Sequence, residues 1–95
     1  MEELLRRLET IVKKSAIKIG HYKFPLHSYM YELIFRTKKD GLTLDDICKR
    51  LGLYDTGRRL VFYCLLYMVK KGEVEGFHTQ KNYFTMRYRI KGKGD

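Results

Sequence analysis

Residues 43–72 carry the strongest helix signals in the chain and constrain its fold more than any other segment. Thr43 precedes a segment of helical periodicity, and its hydroxyl can accept a hydrogen bond from the free N–H groups of a first helical turn. The apolar residues that follow at the spacing of one helix face are Ile47, Cys48 and Leu51. Gly52 comes next and adopts the left-handed conformation of a helix end at little cost. The pattern therefore predicts a short helix over residues 44–51.

A second and longer helix is predicted after a tight turn at residues 54–56. Asp55 or Thr56 can cap this helix, and Gly72 places its end at about Lys71. Its inward face consists of Val61, Cys64, Leu65 and Met68. Its outward face begins with two cations and then becomes apolar, in the order Arg58, Arg59, Phe62, Tyr63, Leu66 and Tyr67. The two helices are therefore predicted to form a helix-turn-helix with a basic start on its outer surface.

A two-stranded hairpin is predicted to follow the long helix. The first strand runs from Glu73 to about His78, residues 79–82 form the tip, and residues 83–90 form the return strand. One face of the return strand carries Phe84, Met86, Tyr88 and Ile90, and the other carries Tyr83, Thr85, Arg87 and Arg89. This alternation is typical of a half-buried antiparallel strand.

Two closely linked helices followed by a hairpin resemble the helix-turn-helix and wing of the winged-helix DNA-binding proteins. The residues that stand at the core and stop positions of that family are Leu42 with Thr43, Ile47 with Cys48, Leu51-Gly52-Leu53, and Met68 four residues before Gly72. The resemblance covers about residues 26–90 and implies an α+β winged helix-turn-helix, with Leu42 in a short third strand beside the wing. We therefore expect an antiparallel wing of two to three strands, a winged-helix domain over residues 25–90 and a basic tail over residues 91–95.

The resemblance also places the start of the second helix in the major groove of DNA. Arg can donate two hydrogen bonds to a guanine edge, and Thr can contact a thymine methyl group or a phosphate. The expected DNA contacts are Thr56, Arg58, Arg59, Phe62 and Tyr63 on the second helix, Lys49 and Arg50 on the first, Gln80, Lys81 and Asn82 at the wing tip, and Arg87 and Arg89 on the return strand. A solvated surface is the alternative for each cation, although two arginines at the positive end of a helix dipole favour a phosphate partner.

The N-terminal residues 1–20 are predicted to form one amphipathic helix that ends at Gly20. Its continuous apolar stripe consists of Leu4, Leu5, Leu8, Ile11, Val12, Ala16 and Ile19. Such a stripe packs against its own domain or pairs with the same helix of a second chain. We expect a homodimer, because a small domain has little room to cover both this stripe and the apolar outer face of the long helix. The expected interface residues are Leu4, Leu8, Ile11 and Val12.

Between these parts, residues 21–24 are expected to form a short link. A further helix is predicted from Pro25 to about Lys38, because Pro suits the first turn of a helix, where its missing N–H is not needed. The buried face of this helix consists of Leu26, Tyr29, Met30, Leu33, Ile34 and Thr37.

The chain has a formal net charge of +9, from 20 Lys and Arg against 11 Asp and Glu. A field of this sign favours phosphate backbones or anionic surfaces. With 44 % hydrophobic residues the chain is too apolar for disorder, and no apolar run reaches the ~20 residues of a membrane span. The charged N-terminus does not resemble a signal peptide. We therefore expect a protein without a membrane partner that is cytoplasmic and associated with the nucleoid, or nuclear if the source is a eukaryote. Asn82 and Gln80 are the only side-chain amides, a composition found in heat-adapted proteins.

No catalytic or metal-binding arrangement is predicted. The three histidines are scattered, and no Cys or carboxylate lies at ligand spacing from them. Cys48 and Cys64 lack metal-ligand spacing and are interpreted as small buried apolar residues, with a disulfide as the alternative. We expect neither an enzyme nor a cofactor, and no small-molecule substrate.

The sequence therefore predicts a small transcriptional regulator that binds double-stranded DNA, either sequence-specifically or generally. The alternative is a winged-helix module that binds another protein within a transcription or other nucleic-acid assembly. The apolar outer surface of the long helix, formed by Phe62, Tyr63, Leu66 and Tyr67, favours this alternative.

Overall fold

The computed structural model describes residues 2–79 and 85–92, so the predictions for Gln80, Lys81, Asn82 and residues 83–84 and 93–95 lie outside the described residues. In chain order the elements are α1 (Glu2–Lys14), β1 (Ala16–Ile19), β2 (Tyr22–Pro25), α2 (Leu26–Arg36), β3 (Leu42–Thr43), α3 (Leu44–Leu51), α4 (Thr56–Lys70), β4 (Val74–Phe77) and β5 (Arg87–Ile90). The helices and a three-stranded sheet share one apolar core, while β1 and β2 form a separate hairpin. The chain is therefore α+β, as expected.

Helix α3 has the predicted bounds, and local contacts explain both of its ends. The Asp46 amide donates to Thr43 Oγ1 at 3.0 Å, and the Thr43 amide donates to Asp46 Oδ2 at 3.1 Å, so the two residues form a reciprocal cap. Gly52 follows the helix with a φ of 66°, in the left-handed region that glycine enters without strain. Ile47 and Cys48 are buried, which fixes the inward face of α3.

Helix α4 is the long central helix, and its predicted inward face is buried throughout, at Val61, Cys64, Leu65 and Met68. Two predictions for α4 are wrong. Asp55 precedes the helix with a φ of 55°, but its side chain makes no capping hydrogen bond. Tyr67, expected on the outward face, is 9 % exposed, and its ring meets His27 edge-on at a centroid distance of 5.5 Å. The aromatic side chain turns inward because the start of α2 covers it.

The three-stranded sheet has the order β3-β5-β4 and is antiparallel, with Leu42 opposite Tyr88 and Val74 opposite Ile90. The short third strand predicted at Leu42 is therefore present, while β4 is shorter than the predicted strand. Gly41 leads into β3 with a φ of 69°, and a Cβ atom there would lie 2.6 Å from the carbonyl oxygen of Tyr88. The entry into the sheet therefore requires glycine.

The N-terminal segment departs from its prediction, because α1 ends at Lys14 rather than at Gly20. The Ser15 hydroxyl donates to the carbonyl oxygen of Ile11 at 2.7 Å, and the Ser15 carbonyl accepts from the Leu26 amide at 3.1 Å. The chain then forms the β1–β2 hairpin, with Ile19 opposite Tyr22. The predicted helix over residues 16–19 and the predicted link over residues 21–24 are therefore wrong, since residues 16–19 and 22–25 are paired strands.

Helix α1 packs against α4 of the same chain. Leu8 is 2 % exposed and Val12 is 5 % exposed, so both belong to the intramolecular core. Leu8 and Val12 are therefore removed from the expected dimer interface, since α4 of the same chain already covers them. Leu4 is 42 % exposed and Ile11 is half-buried, and they are the part of the predicted interface that the fold leaves accessible.

Both cysteines are free and buried, which confirms their interpretation as packing residues. Burial raises the pKa of the Cys64 thiol to about 12 and also raises the pKa of Cys48. The neutral thiols therefore behave as small apolar side chains between α3, α4 and the rest of the core.

Candidate nucleic-acid interface

The first turns of α3 and α4 are joined by an ion pair on the surface of the helix-turn-helix. Arg58 Nη1 donates a hydrogen bond to Asp45 Oδ1, and this bond raises the pKa of the guanidinium further above its ordinary value. The Arg58 side chain is 47 % exposed and that of Asp45 is 65 % exposed. The sequence patterns did not indicate this contact, because thirteen positions separate Asp45 from Arg58.

Three further cations of the predicted site lie exposed on the two helices, namely Lys49, Arg50 and Arg59. Within the part of the chain that the structure describes, none of their side chains makes a hydrogen bond or an ion pair. Lys49 and Arg50 belong to the last turn of α3, where the negative end of the helix dipole stabilises cations. Arg59 lies at the opposite, positive end of α4, and Thr56 is exposed beside it. The dipole of α4 therefore does not stabilise Arg59, in contrast to the dipole of α3 at Lys49 and Arg50.

The two arginines of β5 are engaged inside the fold. Arg87 donates to two main-chain carbonyl oxygens in the turn before β3, from Nε at 2.9 Å and from Nη2 at 3.0 Å. Arg89 Nε donates to Glu75 Oε1 at 2.8 Å, and its guanidinium carbon lies 4.2 Å from the centre of the Phe77 ring. These contacts tie the strands together, so contact with DNA by Arg87 or Arg89 would use only the donors that remain.

An apolar groove lies between α4 and the wing strands and has a volume of about 330 Å³. Its exposed side chains are Phe62 at 44 %, Val69 at 38 % and Met86 at 39 %. Leu66 also lines this α4 groove, and Tyr63 lies beside it, with its ring centre 6.0 Å from that of Phe62. The predicted apolar outer surface of α4 is therefore present, without Tyr67.

A larger cleft of about 630 Å³ lies beside the C-terminal ends of α2 and α3. Its cationic side chains are Arg36, Lys38, Lys39, Arg50 and Arg87. Lys38 and Lys39 were not part of the predicted site. Their adjacent charges are the sequence signal that could have indicated this cleft, although the same charges also suit the end of a helix.

Among the described residues, no three His, Cys, Asp or Glu side chains are grouped so that they could hold a metal ion. The pair formed by His27 Nε2 and Glu73 Oε1, 2.7 Å apart, links the start of α2 to the segment after α4. Over residues 2–79 and 85–92, no helix has the length and apolar character needed to cross a bilayer.

Comparison with known proteins confirms the fold. No protein-family model and no curated protein matches the chain. Among solved structures, a mutant form of S. aureus MepR aligns with a TM-score of 0.61 at 15 % sequence identity. The alignment covers 98 % of this chain and 58 % of the MepR chain, so this chain spans little more than half the length of that protein. Because MepR is a winged-helix protein, the likeness shows that this chain has a winged-helix fold.

Proposed function

We propose that the chain binds double-stranded DNA through its helix-turn-helix and acts as a small transcriptional regulator. The observation that carries the proposal is the set of exposed cations on α3 and α4, formed by Lys49, Arg50, Arg58 and Arg59. The side chains of Lys49, Arg50 and Arg59 make no hydrogen bond or ion pair with other described residues, so they are available to phosphate or base edges. The net charge of +9 adds a long-range attraction to DNA.

In the proposed complex the start of α4 enters the major groove, where Thr56, Arg58 and Arg59 meet base edges and the adjacent backbone. Lys49 and Arg50 neutralise phosphates beside it. The proposed wing contacts come from Gln80, Lys81 and Asn82, with Arg87 and Arg89 at the base of the wing. Regulation would follow from occupancy of an operator, with no chemical step at the site.

Fluorescence anisotropy with labelled duplex DNA at two salt concentrations tests this proposal. Arg59→Ala is expected to weaken binding to every duplex and to reduce the slope of log affinity against log salt by about 1, as for a cation that neutralises a phosphate. Arg7→Ala is the matched control, because it removes the same charge from α1, where Arg7 pairs with Glu3 and is 74 % exposed. Equal losses in the two variants would contradict the assigned interface, and no salt-dependent binding by the unaltered chain would contradict the proposed function.

The α4 groove supports a second candidate function, the binding of an apolar segment of another protein. Phe62, Val69 and Met86 leave apolar surface in water on the face that the first proposal turns toward DNA. Val69→Ser separates the candidates, since Val69 lines the groove but is not among the expected DNA contacts. A groove that binds protein loses an exposed apolar contact, while DNA binding changes little. A chain that binds no duplex at low salt would favour this second function.

The proposal includes a homodimer, which would present two copies of α4 to DNA about 34 Å apart. Leu8 and Val12 are used inside the chain, so a dimer would have to use apolar surface that remains exposed, such as Leu4. Light scattering of the full chain and of Leu4→Glu tests this, and a monomeric mass at high micromolar concentration would contradict the dimer.

A further inference from the structure

We propose that Asp45 is a specificity-determining residue of the DNA interface, one that directs Arg58 toward neutral base edges and away from phosphates. The inference rests on the proposed function and goes beyond it, because it assigns a role to a carboxylate that lies among the cations. Asp45 and Arg58 form an ion pair between the first turns of α3 and α4. Any DNA that reaches Arg58 therefore also approaches Asp45.

The carboxylate is held in place by its helix. Asp45 lies between Thr43 and Asp46, whose reciprocal hydrogen bonds of 3.0 and 3.1 Å fix the first turn of α3. The Asp46 carboxylate is occupied by this cap, whereas the Asp45 carboxylate points to α4 and meets Arg58. Asp45 and Arg58 also line a shallow cavity of about 260 Å³ that opens between α3 and the wing. The backbone positions of Asp45 and Arg58 are thus set by two helices and not by a surface loop.

The charge of Asp45 distinguishes the two kinds of acceptor on DNA. A phosphate that binds Arg58 must either displace the carboxylate or sit beside it, and two negative charges in contact repel each other. A guanine edge accepts two hydrogen bonds from Arg without carrying a net charge. Arg58 has five N–H donors and the fold engages Nη1, so the guanidinium can serve a guanine edge while it keeps its contact with Asp45. Asp45 thus adds a repulsive element that penalises contacts which carry no sequence information.

The neighbouring arginine supports this division of roles. Arg59 follows Arg58 on α4, is exposed, and has no acidic partner among the described residues. It is free to neutralise a phosphate, while Arg58 is restrained by a carboxylate. In this proposal Arg59 contributes affinity for any duplex, whereas Arg58 contributes discrimination between base sequences.

The test compares the unaltered chain with Asp45→Asn and Asp45→Ser, two variants that remove the charge and keep a residue suited to a first helical turn. Glu32→Gln is the matched control, because it changes the net charge equally and frees Arg36 on α2. Duplexes selected by the unaltered chain from a random pool are measured by fluorescence anisotropy beside an unselected duplex, over a range of salt concentrations. Circular dichroism verifies that each variant is folded, and the second Asp45 variant serves if the first is not.

Removing Asp45 is expected to tighten binding to the unselected duplex by about fivefold, which is the upper range for an exposed charge interaction. The slope of log affinity against log salt should steepen by about 0.9, the value for one additional neutralised phosphate. The ratio of affinities for selected and unselected duplex should fall in both Asp45 variants and stay unchanged in Glu32→Gln. An unchanged ratio in folded Asp45 variants would overturn this inference while leaving DNA binding intact. Failure of every protein to bind any duplex would instead overturn the proposed function, and this inference with it.

Discussion

The helix-turn-helix and the N-terminal segment differ in what determines their boundaries, although both carry a regular apolar pattern. Helix α3 begins at a reciprocal Thr43–Asp46 cap and ends at the left-handed Gly52, so contacts within a few residues fix both ends. In the N-terminal segment the helical spacing continues through Ile19, yet the helix ends at Lys14. Apolar periodicity therefore locates a helix, whereas the end of the helix is predictable only where a local contact stops it.

The largest expected change in the free energy of unfolding comes from truncating core side chains, and it tests whether α1 is part of the core to the same extent as α4. Leu65→Ala in α4 and Leu8→Ala in α1 are each expected to lower the free energy of unfolding by about 2–5 kcal/mol, because both side chains are almost fully buried and would leave a cavity. Leu4→Ala is the control, and it should lower this free energy by no more than about 1 kcal/mol, since Leu4 is 42 % exposed and its truncation opens no buried cavity. Urea unfolding followed by circular dichroism measures all three.

Protein concentration sharpens that test. If α1 packs on its own chain, the cost of Leu8→Ala is the same at low and high protein concentration. A dimer interface through α1 would instead make Leu4 and Leu8 similarly costly and would make the unfolding midpoint depend on concentration. The second pattern would restore the interface expected from the sequence and contradict the packing of α1 on α4.

The next effect tests the local contact that fixes the start of α3. Thr43→Ala removes the hydroxyl that accepts from the Asp46 amide, and loss of such a cap costs about 0.5–2 kcal/mol. Thr43→Ser keeps the hydroxyl and should cost much less. Thermal unfolding of both variants checks this, and equal destabilisation would show that packing of the Thr43 methyl group, not the cap, holds the helix start.

A smaller change in the free energy of unfolding distinguishes the observed strand at residues 16–19 from the helix predicted there, because Ile19→Ala is expected to have opposite signs in the two. Ile19 is 40 % exposed, whereas Ile17 is 7 % exposed, so Ile19→Ala removes less packing than a change at Ile17 and leaves the backbone preference measurable. In the β1–β2 hairpin the change is expected to cost up to about 1 kcal/mol, because β-branched residues favour strands. In a continuous helix the same change would gain a few tenths of a kcal/mol. Thr10→Ala within α1 is the matched control, and it should give the helical gain in urea unfolding.

The particular residues show why the sequence predicted some of the structure and not the rest. The α3 bounds and the third strand at Leu42 follow from patterns that lie within a few residues. The hairpin also had a local signal that the helical stripe obscured, since Ile17 and Ile19 alternate with Lys18. A period of 3.6 fits Ala16 and Ile19, whereas a period of two fits Ile17 and Ile19. The pairing with residues 22–25 and the bond from the Leu26 amide to the Ser15 carbonyl decide between them.

The site was harder to predict, because its partners are distant in sequence. The sequence predicts which cations lie exposed on the helix-turn-helix, but it does not predict which of them form ion pairs. Arg87 bonds to carbonyl oxygens more than forty positions away, and Arg58 bonds to Asp45 across the turn. A cation predicted to face DNA can therefore have a partner inside the fold, and only the three-dimensional packing shows which cations remain free.

The smallest effect concerns the hairpin that replaced the predicted helix end. Lys18 lies directly opposite Lys23, and like charges at this position destabilise a strand pair. Lys18→Glu is therefore expected to raise the free energy of unfolding by about 0.2–1 kcal/mol through an ion pair with Lys23. Lys23→Glu should do the same, since the geometry of the pair is reciprocal.

The double variant makes this prediction decisive. With both residues changed to Glu, two like charges again face each other, so the gain of either single change should be lost. Salt should reduce the gains of the single variants, because screening weakens exposed charge interactions. If residues 16–19 were helical, Lys18 and Lys23 would not be paired, and the two single changes would simply add. Urea unfolding of the four proteins at low and high salt thus separates a cross-strand pair from two independent surface charges, and additive effects would contradict the hairpin.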